Sequence, residues 1–406
     1  MRIAQRAQRI EPFYVMELAK AAASMAAGAH PGERPMIYLN IGEPDFTAPP
    51  LVAAAAERAI RDGCSQYTAA TGLPALRQAI SGWYASRFGL TIDPGRIVVT
   101  AGASAALQLA CLALIEAGDE VLMPDPSYPC NRQFVQAAEG RAVLVPSTAA
   151  QRFQLSAAQV EAHWTPATRG VLLASPSNPT GTSIARDELE RIARRVRERG
   201  GITLVDEIYL GLSYDEDYGH TALGLPDGLG DEIISINSFS KYFSMTGWRL
   251  GWLVLPPAMV PAVERLAQNL FICPSTIAQH AALACFEAES LAEYERRRAA
   301  FKARRDYFIP ELNRLGLSVP VMPDGAFYAW TDVSALCQRW GIPPTQERAD
   351  EGGSWALAFE LMKRCQLATT PGRDFGTAEP GRYLRFSTAN AMAQLQEAVA
   401  RLEQAL

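Results

Sequence analysis

From about residue 96 onward, short apolar runs alternate with stretches of helical periodicity, and this alternation limits the fold more than any other feature of the chain. The strand candidates are Arg96–Thr100, Glu120–Met123, Ala142–Val145, Gly170–Ala174, Thr203–Asp206, Ile233–Asn237 and Leu250–Leu255. Helical patterns fill several of the gaps, at Ser104–Glu116, Asn131–Ala138 and Ala185–Arg199. The last is followed by Gly200-Gly201, a natural helix stop. Strand–helix–strand alternation predicts an α/β domain, with a mainly parallel seven-stranded sheet covered by helices. Ligands on such sheets bind at the carboxyl ends of the strands.

Beyond about residue 291 the pattern changes. A long charged helix is predicted at Ala292–Leu315, then strands at Ser318–Val321, Ala326–Trp330 and Tyr383–Phe386. This is an α+β pattern and marks a second, smaller domain. The polar stretch Gln346–Ser354 reads as a mobile loop.

Charge excludes some partners. The net charge is −5, which argues against nucleic acid or an anionic membrane surface. The arginine-rich stretches Arg191–Arg199 and Arg296–Arg305 interleave acids and apolar residues at helical spacing, so they read as solvated helix faces. No apolar run approaches the roughly 20 residues of a membrane span. The start carries no apolar core of a secretion signal, and the seven cysteines form no paired motif. A cytoplasmic protein with reduced thiols is expected. The four histidines are scattered, and no metal site is expected.

Five clusters fall where strands should end. Gly102-Ala103-Ser104 opens a helix, where small residues let backbone N–H groups meet an anion or serve only as a cap. Asn178, in Ser175–Gly181, aims an amide at a ligand or merely shapes a turn. Asp206, in Val205–Tyr209, presents an acid at a strand end or simply caps the next segment. Ser238, Ser240, Lys241 and Arg249 lie close in sequence. Hydroxyls and a guanidinium suit a phosphate, and a lysine suits a Schiff base. Arg385 grips a carboxylate or makes a structural salt bridge.

Together these clusters resemble the fold-type I pyridoxal-phosphate-dependent aminotransferases of class I/II, the aspartate aminotransferase-like family. The resemblance runs from "LNIGEPDF" (39–46) through "YTAATGLPALRQAI" (67–80), "NPTG", "DEIY", "SFSK", "MTGWRLG" and "GAFY" (325–328) to "LRFS" (384–387), in matching order and spacing. It implies a large cofactor domain over residues 47–290 and a small domain built from 1–46 and 291–406. It implies pyridoxal 5'-phosphate, with Lys241 holding its aldehyde and moving the substrate α-proton. Asp206 would face the pyridine nitrogen, Asn178 and Tyr209 its phenolic oxygen, and Tyr128 its ring face. Ala103, Ser104, Ser238 and Arg249 would hold the phosphate, joined by Tyr67 from a neighbouring subunit. That last role implies a homodimer with shared active sites. Gly42, Asn178 and Arg385 would bind substrate, and Asn178–Pro179 would be a cis peptide.

The implied activity moves an amino group between an L-amino acid and a 2-oxo acid. A carbon–sulfur β-lyase on the same scaffold is the alternative, because both reactions begin by removing the α-proton. Dicarboxylate-specific relatives bring a cation to the distal carboxylate. Here Ala103-Ser104-Ala105 and Pro274-Ser275-Thr276 carry none, and Pro12–Met16 is apolar and aromatic, so a neutral donor is expected. Arg373 departs from the family pattern and reads either as a salt bridge with Asp374 or a neighbour, or as a second anion contact.

Overall fold

The computed structural model describes residues 2–28, 32–343 and 353–406. Its strands are β1 (Ile37–Tyr38), β2 (Ile97–Thr100), β3 (Glu120–Asp125), β4 (Arg141–Pro146), β5 (Thr168–Ala174), β6 (Ile202–Asp206), β7 (Ile234–Ser238), β8 (Gly251–Val254), β9 (Tyr328–Asp332), β10 (Leu367–Ala368), β11 (Thr370–Pro371) and β12 (Tyr383–Ser387). Seven of them form one sheet in the order β2-β8-β7-β6-β5-β3-β4. Only β8 runs against its neighbours. The expected mainly parallel sheet is therefore present, with strand ends shifted by a residue or two.

Both faces of this sheet are covered, which is why its strands read as unbroken apolar runs. Successive side chains alternate between faces. Val99, Trp252 and Val254 pack with Trp83, Tyr84 and Phe243. Their neighbours Val98 and Leu253 pack with Leu107 and Ala110 of the helix Ala103–Leu114.

A second core holds the smaller α+β domain. It gathers Leu18 and Leu39 from the N-terminal segment with Phe308, Leu361, Leu384 and Leu402. Its sheets are β11-β12-β9, antiparallel, and the parallel pair β1-β10. The helix Ala288–Arg314 serves both cores, burying Tyr294 and Phe301 in one and Phe308 and Leu312 in the other.

Several sequence expectations need correction. Ser318–Val321 is not a strand, because Ser318 makes only an isolated bridge to Asp332. The strand placed at Ala326–Trp330 begins two residues later. Gly181 O accepts from both Asp324 N and Gly325 N, and Ala326 turns through φ 56° before extended pairing starts. Of the loop expected at Gln346–Ser354, residues 346–352 lie outside the described residues. Gly353 and Ser354 open the helix Gly353–Cys365, and Ser354 is buried with its hydroxyl on Pro380 O. The Arg296–Arg305 face is only partly solvated. Arg304 is buried, donates to both Asp45 carboxylate oxygens at 2.7 and 2.8 Å, and lies over Phe46. Among the described residues no helix is long and apolar enough to cross a membrane.

Candidate active site

Strand register brings the expected residues together. Ala174 and Asp206 sit side by side at the ends of β5 and β6, and Ile236, midway along β7, lies next to Asp206. Gly251 lies between Thr100 and Ser238, so the turn leading into the helix Ala103–Leu114 meets the end of β7. Glycine is required at that meeting, since a Cβ on Gly251 would stand 2.8 Å from Ala103 N.

The helix start is shaped for an anion. Gly102 has φ +83° and supplies no capping side chain, which leaves the first-turn N–H groups pointing outward. A Cβ on Gly102 would lie 2.7 Å from Nη2 of Arg249. Arg249 itself adopts φ 52°, uncommon for a residue with a side chain, and donates from Nη1 to Thr246 O at 3.0 Å. Ser238 is buried and accepts from Ser240 N at 3.0 Å, whereas Ser104 is exposed.

Lys241 and Asp206 are the titratable pair. Lys241 Nζ donates to Gly42 O at 2.6 Å. Burial lowers its ammonium to about 8, with Glu43 opposing the shift and Arg385 and Arg249 adding to it. Burial raises the Asp206 carboxyl to about 7, against the pull of the Ile208 N–H and of Lys241. A lysine near neutrality is a nucleophile in reach of working pH. A buried acid held up by desolvation is one that a neighbouring cation would return to its ionised form.

Arg385, in the middle of β12, is 3% exposed. It donates to Asn178 Oδ1 at 2.8 Å and to Asn40 O at 2.7 Å, and its guanidinium lies over Tyr328 (4.4 Å) and Phe375 (4.9 Å). Asn178–Pro179 is cis, as are Asp125–Pro126 and Ser175–Pro176. The Tyr209 hydroxyl meets that of Tyr328 at 2.6 Å. Tyr128 is half-buried at a helix start, and Phe13 meets its ring edge-on at 6.4 Å. Tyr67 stands apart, 80% exposed on this single chain.

Arg373 follows Pro371-Gly372 at the entry to the short turn Gly372–Asp374. Its guanidinium covers the rings of Tyr14 (3.9 Å) and Trp355 (4.7 Å), while Asp374 Oδ1 accepts from Tyr14 N at 2.9 Å. Sequence reasoning missed Tyr328 and Phe375 as the rings that flank Arg385. Tyr328 lay in the quoted 325–328 motif, but no role attached to it. Phe375 had no signal beyond being aromatic.

A strand-end site with a neutral-leaning lysine, a buried acid, an anion cradle and a carboxylate-ready arginine defines a class of enzyme. It is one that works through an anionic, aldehyde-bearing ring cofactor. Residues 34–402 match the family described as aminotransferase class I and II. Valine–pyruvate aminotransferase of Mycobacterium tuberculosis is 37% identical, over 99% of this chain and 97% of its own length. An aspartate aminotransferase of Rhizobium meliloti is 34% identical, over 98% and 95%. The crystal structure of an aminotransferase from Mycobacterium tuberculosis superposes with TM-score 0.89 at 36% identity, covering 100% of this chain and 99% of that one. The chain belongs to the class I and II aminotransferases and is a pyridoxal-phosphate-dependent transaminase acting on an amino acid and a 2-oxo acid.

Proposed function

We propose that this transaminase prefers a neutral L-amino acid as donor over a dicarboxylic one, and that the expected residues hold their expected roles. The observation that carries the preference is the make-up of the Arg385 site. Arg385 lies between two aromatic rings, Phe13 packs on Tyr128, and the starts of the helices Ala103–Leu114 and Thr276–Leu283 bring no cation. A second substrate carboxylate would be desolvated there without a partner, at a cost of a few kcal/mol. The similarity to a valine–pyruvate aminotransferase supports the same reading.

Bound pyridoxal phosphate supplies an electron sink for the substrate α-carbon. The rest is the work of this chain's residues. Lys241 would hold the cofactor aldehyde, and its free amine would carry a proton on Nζ from the substrate α-carbon to the cofactor's aldehyde carbon. Asp206 holds a proton on the ring nitrogen by keeping its own negative charge beside it. Tyr209 and Asn178 donate to the phenolic oxygen, and Tyr128 covers the ring. Arg249, Ser238, Ser104 and the first-turn N–H of Ala103 bind phosphate. Arg385 and Asn178 orient the α-carboxylate, and Gly42 leaves room beside it. A Cβ there would already collide with the Tyr328 hydroxyl.

Tyr67 reaches the phosphate of a second copy of the chain. Its 80% exposure on the single chain supports this, since so exposed a side chain is open to a second copy. A core drawn wholly from 1–46 and 291–406 supports a small domain built from those segments and a large one at 47–290, although Phe301, Phe327 and Tyr328 pack into the core of the large sheet. The seven free cysteines support a reducing cytoplasm.

The test is kcat/KM for valine, alanine, phenylalanine and aspartate against one 2-oxo acid. Neutral donors should exceed aspartate by tenfold or more, with the order unchanged in Arg373→Ala. An aspartate preference overturns the reading. If that preference vanishes in Arg373→Ala, Arg373 is the specificity residue. Ammonia and pyruvate released from a β-thio amino acid faster than amino transfer would favour the carbon–sulfur β-lyase.

A further inference from the structure

Tyr328 is the side chain between the two halves of the site. It opens β9 and is 1% exposed. Its ring lies under the Arg385 guanidinium at 4.4 Å, and its hydroxyl meets the Tyr209 hydroxyl at 2.6 Å. The two tyrosine rings meet edge to face, with centroids 5.5 Å apart and planes at 78°. We propose that Tyr328 is a positioning residue with two separable actions. Its hydroxyl directs the Tyr209 proton into the site, and its ring fixes the plane in which Arg385 meets a carboxylate.

The first action follows from counting protons. Burial pushes both hydroxyls above their usual range, so each keeps its proton at neutral pH. Two hydroxyls that share one hydrogen bond have one proton to spare. Among the described residues the Tyr328 hydroxyl has no partner except Tyr209. The Tyr209 hydroxyl likewise has only Tyr328 as partner among the described residues, but in the loaded enzyme it would face a further acceptor, the cofactor's phenolic oxygen, so the spare proton costs less on Tyr209 than on Tyr328. With Tyr328 donating, the Tyr209 oxygen is satisfied as acceptor and its own proton is released towards the site. A hydroxyl that accepts one hydrogen bond also becomes a stronger donor of the next.

The second action follows from geometry. Arg385 lies against Tyr328 on one contact and Phe375 on another, at 4.4 and 4.9 Å. Two-point binding of a carboxylate requires the guanidinium plane to be aimed, and a flanking ring restricts that plane while attracting the charge. Tyr328→Phe removes only the hydroxyl, and Tyr328→Leu removes the ring as well.

This inference rests on the reading that Lys241 carries the cofactor and Tyr209 faces its phenolic oxygen. The experiment uses the cofactor-loaded enzyme and two readouts, the pH midpoint of its visible absorption change and the KM for the amino donor. A weaker Tyr209 donor stabilises the phenolate less, so Tyr328→Phe should raise the midpoint by about 0.3–1 pH unit, with KM within about twofold of wild type. Tyr328→Leu should add a rise in KM of about tenfold, the size of a desolvated cation–π contact. In a Tyr209→Phe background, Tyr328→Phe should shift the midpoint no further.

A midpoint in Tyr328→Phe equal to wild type overturns the first action, as does a full additional shift in the double variant. An unchanged KM in Tyr328→Leu overturns the second. If Tyr328→Leu does not fold, an unaltered KM in Phe375→Leu overturns the account of how Arg385 is aimed, and the Tyr328→Phe readout still decides the first. A wild-type holoenzyme whose visible absorption does not respond to pH would instead defeat the underlying reading, and this inference with it.

Discussion

Arg385 Nη1 donates to Asn178 Oδ1 at 2.8 Å, joining residues 207 positions apart in the sequence. One comes from β12 of the small domain and the other from the turn after β5 of the large sheet. The bond holds the guanidinium at the strand ends before any substrate arrives, and a second bond to Asn40 O fixes its other nitrogen.

That arrangement makes Arg385→Lys informative. Lysine keeps the charge but cannot hold Asn178, Asn40 and a carboxylate in one plane. The expected result is a fall in kcat/KM of about 100-fold, the scale of a lost charge-assisted hydrogen bond pair, with the visible spectrum of the loaded enzyme intact. Steady-state kinetics with a neutral donor would check it. A variant within threefold of wild type would mean that Arg385 is a structural cation.

Lys241→Ala should remove the pH-dependent visible absorption and nearly all turnover. The amine at Gly42 O is the one set at the strand ends, whereas Lys302 and Lys363 are exposed and pair with Asp306 and Glu360. Borohydride reduction of the loaded enzyme followed by peptide mapping would locate the attached cofactor. Finding it on Lys302 or Lys363 would refute the assignment.

How much of this was legible beforehand varied with the physics. The seven strands were, because a sheet covered on both faces writes itself as apolar runs, and β3 to β8 begin within a few residues of their expected starts. Lys241, Asp206 and Arg385 stood out as candidates because the chemistry expected of them is carried by side chains. The Asn40 contact to Arg385 was not, because it is made by a backbone carbonyl that any residue could supply. Tyr328 was visible as a letter in a motif but not as a neighbour of Tyr209, 119 residues away. Arg304 was misread as solvated, since helical periodicity cannot reveal that Asp45 waits opposite it. Ser318–Val321 failed as a strand because an apolar run needs a partner with matching register, and only Ser318 finds one.

Gly102→Ala should weaken cofactor binding. At φ +83° an alanine is strained, and its Cβ would press on Nη2 of Arg249 at 2.7 Å. On the proposed role of Arg249, moving the guanidinium would take a charged donor away from the phosphate, a loss of roughly 1.5–3 kcal/mol or about 10- to 100-fold in Kd. Titration of the cofactor-free protein with pyridoxal phosphate, followed by absorbance, would measure it. Gly63→Ala is a fair control, as Gly63 also has positive φ but nothing within 4 Å of its Cβ. Equal losses in both variants would place the effect in backbone strain rather than in the cradle.

Asp206→Asn should trade activity against stability, and pH separates the two. Burial raises the folded-state carboxyl from 3.8 to about 7. Below pH 3.8 the group is protonated in both folded and unfolded chains and contributes nothing. Between 3.8 and 7 the folded protein holds a proton that the unfolded chain has released, so stability falls as pH rises. Above pH 7 the full cost of the buried charge is present, at most roughly 4 kcal/mol. Asparagine is neutral throughout and can still accept from Ile208 N, which Asp206 Oδ1 does at 3.1 Å. The cofactor-free variant should therefore melt higher than wild type at pH 8, by about 1–3 kcal/mol. The gain should shrink steadily below pH 7 and vanish near pH 4. If the ring nitrogen of bound pyridoxal phosphate pairs with Asp206, as proposed, the gain should disappear at every pH. The transamination rate of the variant should drop by about 100-fold or more, because the ring proton is no longer held in place. Melting curves of both forms across pH 4–8, with single-turnover rates, test each step. A variant no more stable than wild type in the cofactor-free form at pH 8 would show that Asp206 is not a strained acid awaiting a cation.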